Sequence, residues 1–116
     1  MITVKADVRF GRFTTGLIWA ISRLDLLSKI SRYCPEEIMI TSANDGTHLE
    51  KSKHYIDEAI DIRSHNFTNG TKIAFREELE KFLNIGSPCQ FTVLLESLGT
   101  ANEHFHIQVK KGSRCP

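Results

Sequence analysis

The chain has 116 residues, with 15 lysines and arginines against 14 aspartates and glutamates and a net charge of +1, so it has the length for one domain, residues 1–116, around a single modest core. The charges are interspersed, with no basic stripe to follow a phosphate backbone and no run near the ~20 apolar residues of a membrane span, so neither nucleic acid nor membrane is expected as a partner. The 3 cysteines, Cys34, Cys89 and Cys115, sit at spacings that form neither a CxxC pair nor a disulfide framework, and they read as reduced thiols.

In chain order, Val4, Ala6, Val8 and Phe10 alternate with polar residues and predict a short strand ahead of Gly11. A helix is predicted from about Thr15 to Tyr33. Leu17, Ile21, Leu24, Leu26 or Leu27, and Ile30 recur at three- and four-residue steps, Thr14 or Thr15 can cap its start, and Pro35 stops it. Trp19 lies on or beside that stripe and is expected to pack. Residues 37–41 read as a strand, followed by a polar, glycine-containing loop over 42–48.

Ala59 to Arg63 reads as a further strand. If Ile60 and Ile62 face the core, Ala59, Asp61 and Arg63 share the opposite face. Thr71 is placed to cap a helix through about Leu83, with Phe75, Leu79, Phe82 and Leu83 as its apolar stripe. Phe91 to Glu96 and His104 to Lys110 then form a predicted hairpin. Two helices and several strands out of βαβ order make the expected class α+β, an antiparallel sheet packed against helices.

The chemistry-bearing residues follow from the same alternation. In the last strand Phe105, Ile107 and Val109 share one face, which puts His104, His106 and Gln108 on the other. Alone, those histidines read as solvent-facing, and so do His54 and Asp61. Together, His54, Asp61 and His106 make a two-histidine, one-carboxylate set that can hold zinc and leave a fourth position for water. Glu103 can then carry a proton from that water to a leaving amine. Glu96, which alternates onto one face with Thr92 and Leu94, is the reserve for that role. No GxSxG, P-loop or HExxH motif competes.

Ser52-Lys53-His54 and Asp57-Glu58-Ala59-Ile60-Asp61 resemble the SxHxxGxAxD motif of the zinc peptidases that cut peptidoglycan stem peptides, the D-alanyl-D-alanine carboxypeptidases and dipeptidases and the phage L-alanyl-D-glutamate endopeptidases. Glu103-His104-Phe105-His106 is similar to that family's second element, and the likeness extends over roughly residues 38–109. The resemblance implies a small Hedgehog/DD-peptidase-like fold, zinc on His54, Asp61 and His106, and Glu103 as general base and acid. It further implies Ser52 beside the substrate, with His104, His48 and Arg63 around the metal and cleft. The implied substrate is a peptidoglycan peptide or another short peptide containing D-amino acids. The Glu-His-Phe-His run in place of Glu-Trp-Trp-His leans toward the phage-type branch.

Asp57 stands where the motif has glycine. If that glycine serves a positive φ, aspartate is among the residues that tolerate it best. Hedgehog-type signalling domains are similar in scaffold, so a zinc-containing binding module without turnover is the alternative expectation. Without a secretory apolar stretch the expected location is the cytoplasm at synthesis, which is compatible with a phage-encoded enzyme released to the wall by another protein. A monomer is the expected state.

Overall fold

The computed structural model describes residues 1–44 and 57–116. Its elements in chain order are β1 (Ile2–Val4), α1 (Thr15–Ile30), β2 (Ile38–Ser42), β3 (Ala59–Arg63), α2 (Lys72–Asn84), β4 (Phe91–Glu96) and β5 (His104–Val109), with a 3-10 turn, Asn69–Thr71, leading into α2. The strands form one sheet in the order β1-β2-β3-β5-β4. This is the expected α+β class with one difference. β1 runs parallel to β2, while the remaining neighbours are antiparallel, so the sheet is mixed.

The first strand is shorter than the alternation predicts. Lys5 still donates its N–H to Ile40 O, but Asp7 adopts φ 75 and Val8 N–H turns back to Lys5 O, which takes the chain off the sheet edge. Val8 and Phe10 nevertheless pack against the core from outside the strand. Helix α1 starts as expected, because Thr14 Oγ1 accepts the N–H of Leu17 at 3.2 Å. It stops at Ile30, three residues before Tyr33. Ser31 caps it in an extended conformation and its hydroxyl accepts the Tyr33 N–H at 3.1 Å, which competes with another helical turn. Of the two leucines left open by the periodicity, Leu27 is buried and Leu26 is 47 % exposed.

One apolar cluster unites the layers. Ile60 and Ile62 of β3, Phe105 and Ile107 of β5 and Val93 of β4 meet Leu17 and Leu24 of α1 and Phe75, Leu79 and Leu83 of α2. Phe67, Phe75 and Phe105 interlock with ring centroids 4.7 to 5.4 Å apart. Each such fully buried ring contributes about 2–3 kcal/mol by transfer from water. Trp19 packs at the rim, donates Nε1–H to Leu83 O at 2.8 Å and lies under the Arg23 guanidinium. Thus α1 is tied to the end of α2.

The cysteine expectation is corrected. Cys89 and Cys115 form a disulfide, and Cys34 alone is free. The pairing is tertiary. After β5 the chain turns back over the start of β4, where Lys110 N–H donates to Gln90 O and Gln90 N–H to Ser113 Oγ. That brings Cys115 over Gly16, whose missing Cβ would stand only 2.9 Å from both Cys115 Sγ and Val109 Cγ2. Burial pushes the Cys34 thiol up to about 11, so it is a poor nucleophile. Among the described residues no helix is long and apolar enough to cross a membrane.

Candidate metal centre on the polar face of the sheet

The pairing of β3, β5 and β4 determines what meets on the face away from the helices. Asp61 lies opposite His106, Arg63 opposite His104, and Glu96 opposite His104 on its other side. Since side chains alternate along each strand, one face collects Asp61 and Arg63 from β3, His104, His106 and Gln108 from β5, and Glu96 from β4. Beside Asp61, β2 carries a register shift between Ile40 and Ser42, the kind of irregularity that re-aims side chains.

Ligand atoms of Asp61, Glu96 and His104 lie within 4.8 Å of one another, and this group could hold a metal ion. His106 adjoins it, with Nδ1 2.8 Å from Asp61 Oδ1 and 3.9 Å from Glu96 Oε1. Each imidazole is gripped at both ends. His106 Nε2 donates to Gln108 Oε1 at 2.7 Å, which turns Nδ1 inward to Asp61. His104 Nδ1 donates to Asn102 O at 2.6 Å, which turns Nε2 inward to Glu96 at 3.0 Å and toward Asp61 at 3.8 Å. These tautomers are assigned from the hydrogen-bond partners. An outer acceptor holding one ring nitrogen while the other faces carboxylates is the arrangement in which histidines serve as metal ligands, the cation replacing the inner proton.

Electrostatics agree with an acid-rich centre. Burial works against a charged His106, but the hydrogen bonds with Asp61 and Gln108 and the charges of Asp61 and Glu96 outweigh it, so its pKa stands above the ordinary histidine value. Imidazole nitrogens and carboxylate oxygens together are a zinc-compatible donor set.

Glu103 is engaged elsewhere. It lies just ahead of β5, 6 % exposed, in a buried ion pair with Lys72 of α2. Ser64 Oγ donates to Oε1 at 2.7 Å and Gly99 N–H to Oε2 at 2.9 Å. The Gly99 N–H, then Lys72, then Ser64 hold its carboxyl down to about 2. Gly99 meets it from a turn that requires φ 79, a conformation glycine adopts without penalty. The carboxylate therefore pins the β4–β5 connection, and so fixes the two strand ends that carry Glu96 and His104.

Asp57, at the glycine position of the resemblance, has φ 58, so a positive φ does stand where the motif has glycine. Its carboxylate accepts from Asn44 Nδ2 at 2.8 Å and pairs with Arg12 at 3.6 Å, and its carbonyl accepts from Thr14 Oγ1. The Asn44–Asp57 bond joins the two ends of segment 45–56. His54, Ser52 and His48 belong to that segment and lie outside the described residues.

An open cleft of about 550 Å³ runs beside the cluster, lined by Asp61, His104 and Arg63 together with Lys5, Thr41 and His65. Arg63 thus lines it as expected. Sequence reasoning assigned no role to Gln108 or Asn102, which orient the histidines, or to Lys72 and Ser64, which hold Glu103. Gln108 had a signal, since the period of two sets it beside His106. The Lys72–Glu103 pair had none, because it depends on how α2 packs under the hairpin. Comparison with protein-family models and with curated proteins found no match.

Proposed function

We propose that this polar face holds a zinc ion and that the chain is a zinc-dependent peptidase of the peptidoglycan-hydrolase type. Its substrate would be a stem peptide or another short peptide containing D-amino acids. The observation that carries the reading is the double grip on His104 and His106, each with one nitrogen fixed outward and the other aimed at Asp61 and Glu96. Asp61 and His106 would hold the metal, with His54 added as the resemblance implies. A zinc ion there supplies Lewis acidity toward a scissile carbonyl and an attacking water.

Two carboxylates bear on the proton transfer. The resemblance assigns it to Glu103, whereas the geometry supports Glu96, which belongs to the cluster while Glu103 is occupied by Lys72, Ser64 and Gly99. A carboxylate held near pKa 2 is also a weak base. On this reading Glu96 accepts the proton and returns it to the leaving amine, and Glu103 keeps the hairpin in register.

The test is a calorimetric zinc titration of the metal-stripped chain, followed by release of amino groups from purified peptidoglycan. One zinc per chain and release that stops on chelation are expected; absence of zinc binding sinks the proposal. Glu96→Gln should reduce turnover far more than Glu103→Gln does in protein of equal folded fraction, and the reverse order returns the role to Glu103. A binding module without turnover is the second reading, favoured by the engagement of Glu103 with Lys72. Zinc uptake with no amino-group release from peptidoglycan would select it.

A further inference from the structure

The donors on the polar face divide into two sets that share one carboxylate. Asp61 Oδ1 faces His106 Nδ1 at 2.8 Å, while its other oxygen, Oδ2, faces His104 Nε2 at 3.8 Å. His104 Nε2 in turn lies 3.0 Å from Glu96 Oε1. The zinc of the peptidase reading takes Asp61 and His106 together with His54, which leaves Asp61 Oδ2, Glu96 and His104 as a second triplet. Zinc bound tetrahedrally to nitrogen and oxygen at about 2.0–2.2 Å sets its donor atoms roughly 3.3 Å apart. The separations of 3.0 and 3.8 Å bracket that value. His104 is prepared from outside the triplet, because the Asn102 carbonyl takes its Nδ1–H and so directs the Nε2 lone pair at the Glu96 carboxylate. Two acceptors at that distance need a proton or a cation between them.

A cation also has access. Asp61 and His104 line the open cleft, and the Glu96 side chain is 43 % exposed, with ion-pair partners among the described residues in His104 and His106 alone. One carboxylate joining two donor sets is the plan of two-metal centres, whose ions stand about 3.5–4 Å apart. We propose that Asp61, Glu96 and His104 form a second zinc site, and that filling it withdraws Glu96 from proton transfer, so that zinc in excess arrests turnover. The arrest rests on the peptidase reading, while the site itself rests on the donor geometry. Two features make it the weaker of the two sites. Arg63, opposite His104 and on the wall of the same cleft, opposes an incoming cation, and an ion already held on Asp61 repels another. The chain therefore fills the first position at low zinc and the second only when zinc is abundant.

The experiment extends the calorimetric zinc titration of the metal-stripped full chain past the single equivalent that the peptidase reading requires. A second step, about 10-fold or more weaker than the first, is expected. His104→Gln on β5 and Glu96→Gln on β4 should each weaken that step by more than about 100-fold and leave the first in place, whereas His106→Gln should remove the first and leave one step. A single step in the wild-type chain, or a second step that survives both His104→Gln and Glu96→Gln, overturns the site. Amino-group release from peptidoglycan by the wild-type chain should rise to one equivalent of zinc and fall as the second step fills. Release that stays level through the second step overturns the arrest. Release at no zinc level ends the peptidase reading and the arrest with it, while a two-step titration still upholds the second site.

Discussion

Two acidic sites flank the β4–β5 connection and are built on opposite plans. At Glu103 every acceptor is matched: Lys72, Ser64 and the Gly99 N–H close around a carboxylate that is almost wholly buried. At Asp61 and Glu96, carboxylates and inward-turned imidazole nitrogens gather on a part-exposed face whose donor set suits a cation. The first arrangement is complete with the chain's own groups and stabilises the fold. The second could hold a metal ion, and that difference separates an acid spent on the fold from one whose surroundings suit a ligand.

The sharpest way to break the comparison is Lys72→Met. It leaves Glu103 buried without its cation and should cost about 3–5 kcal/mol in urea unfolding, with Glu103→Leu in the same chain restoring most of the loss. The acid response sharpens this further. The Glu103 pKa is lowered in the folded chain to about 2 from an ordinary 4.5. Its contribution is therefore present above pH ~4.5 and is lost as the pH falls through that value toward 2. Unfolding followed from pH 5 to pH 2 should show a steep loss in wild type and a shallower one in the Lys72→Met, Glu103→Leu chain.

At the open site the effects should fall on metal affinity and leave folding largely intact. Asp61→Asn should weaken zinc binding by more than about 100-fold, since it removes the carboxylate common to both histidines. Gln108→Leu should weaken it by about 10- to 100-fold, because His106 loses the acceptor that orients it. Smallest is Thr14→Ala, which removes the α1 cap and the hydroxyl donated to Asp57 O, at about 1 kcal/mol in thermal unfolding and with zinc affinity unchanged. If Gln108→Leu were to destabilise the fold as much as Lys72→Met does, the distinction between the two sites would fail.

What could be read from the sequence was whatever depends on local period. Ile60 and Ile62 inward with Asp61 and Arg63 outward, and Phe105 and Ile107 inward with His104 and His106 outward, follow from alternation along two strands, and the structure aligns those strands as neighbours. The class α+β and both helices followed in the same way, whereas the positive φ of Asp57 was open to view only through the glycine that the resemblance puts at its position. What could not be read depends on contacts between distant elements. The parallel pairing of β1 with β2 and the Cys89–Cys115 bond are set by packing, as is the capture of Glu103 by Lys72. Likewise Ile30 matched the helical stripe yet is 64 % exposed.

The Asn44–Asp57 hydrogen bond has a practical corollary for engineering. It ties the exit of β2 to the approach of β3, so the distance between those two points is held by Asn44 and Asp57 themselves. Loop closure costs only about 0.6 kcal/mol more for each doubling of loop length, so residues added between those two anchors should leave the pairing of β2 with β3 undisturbed.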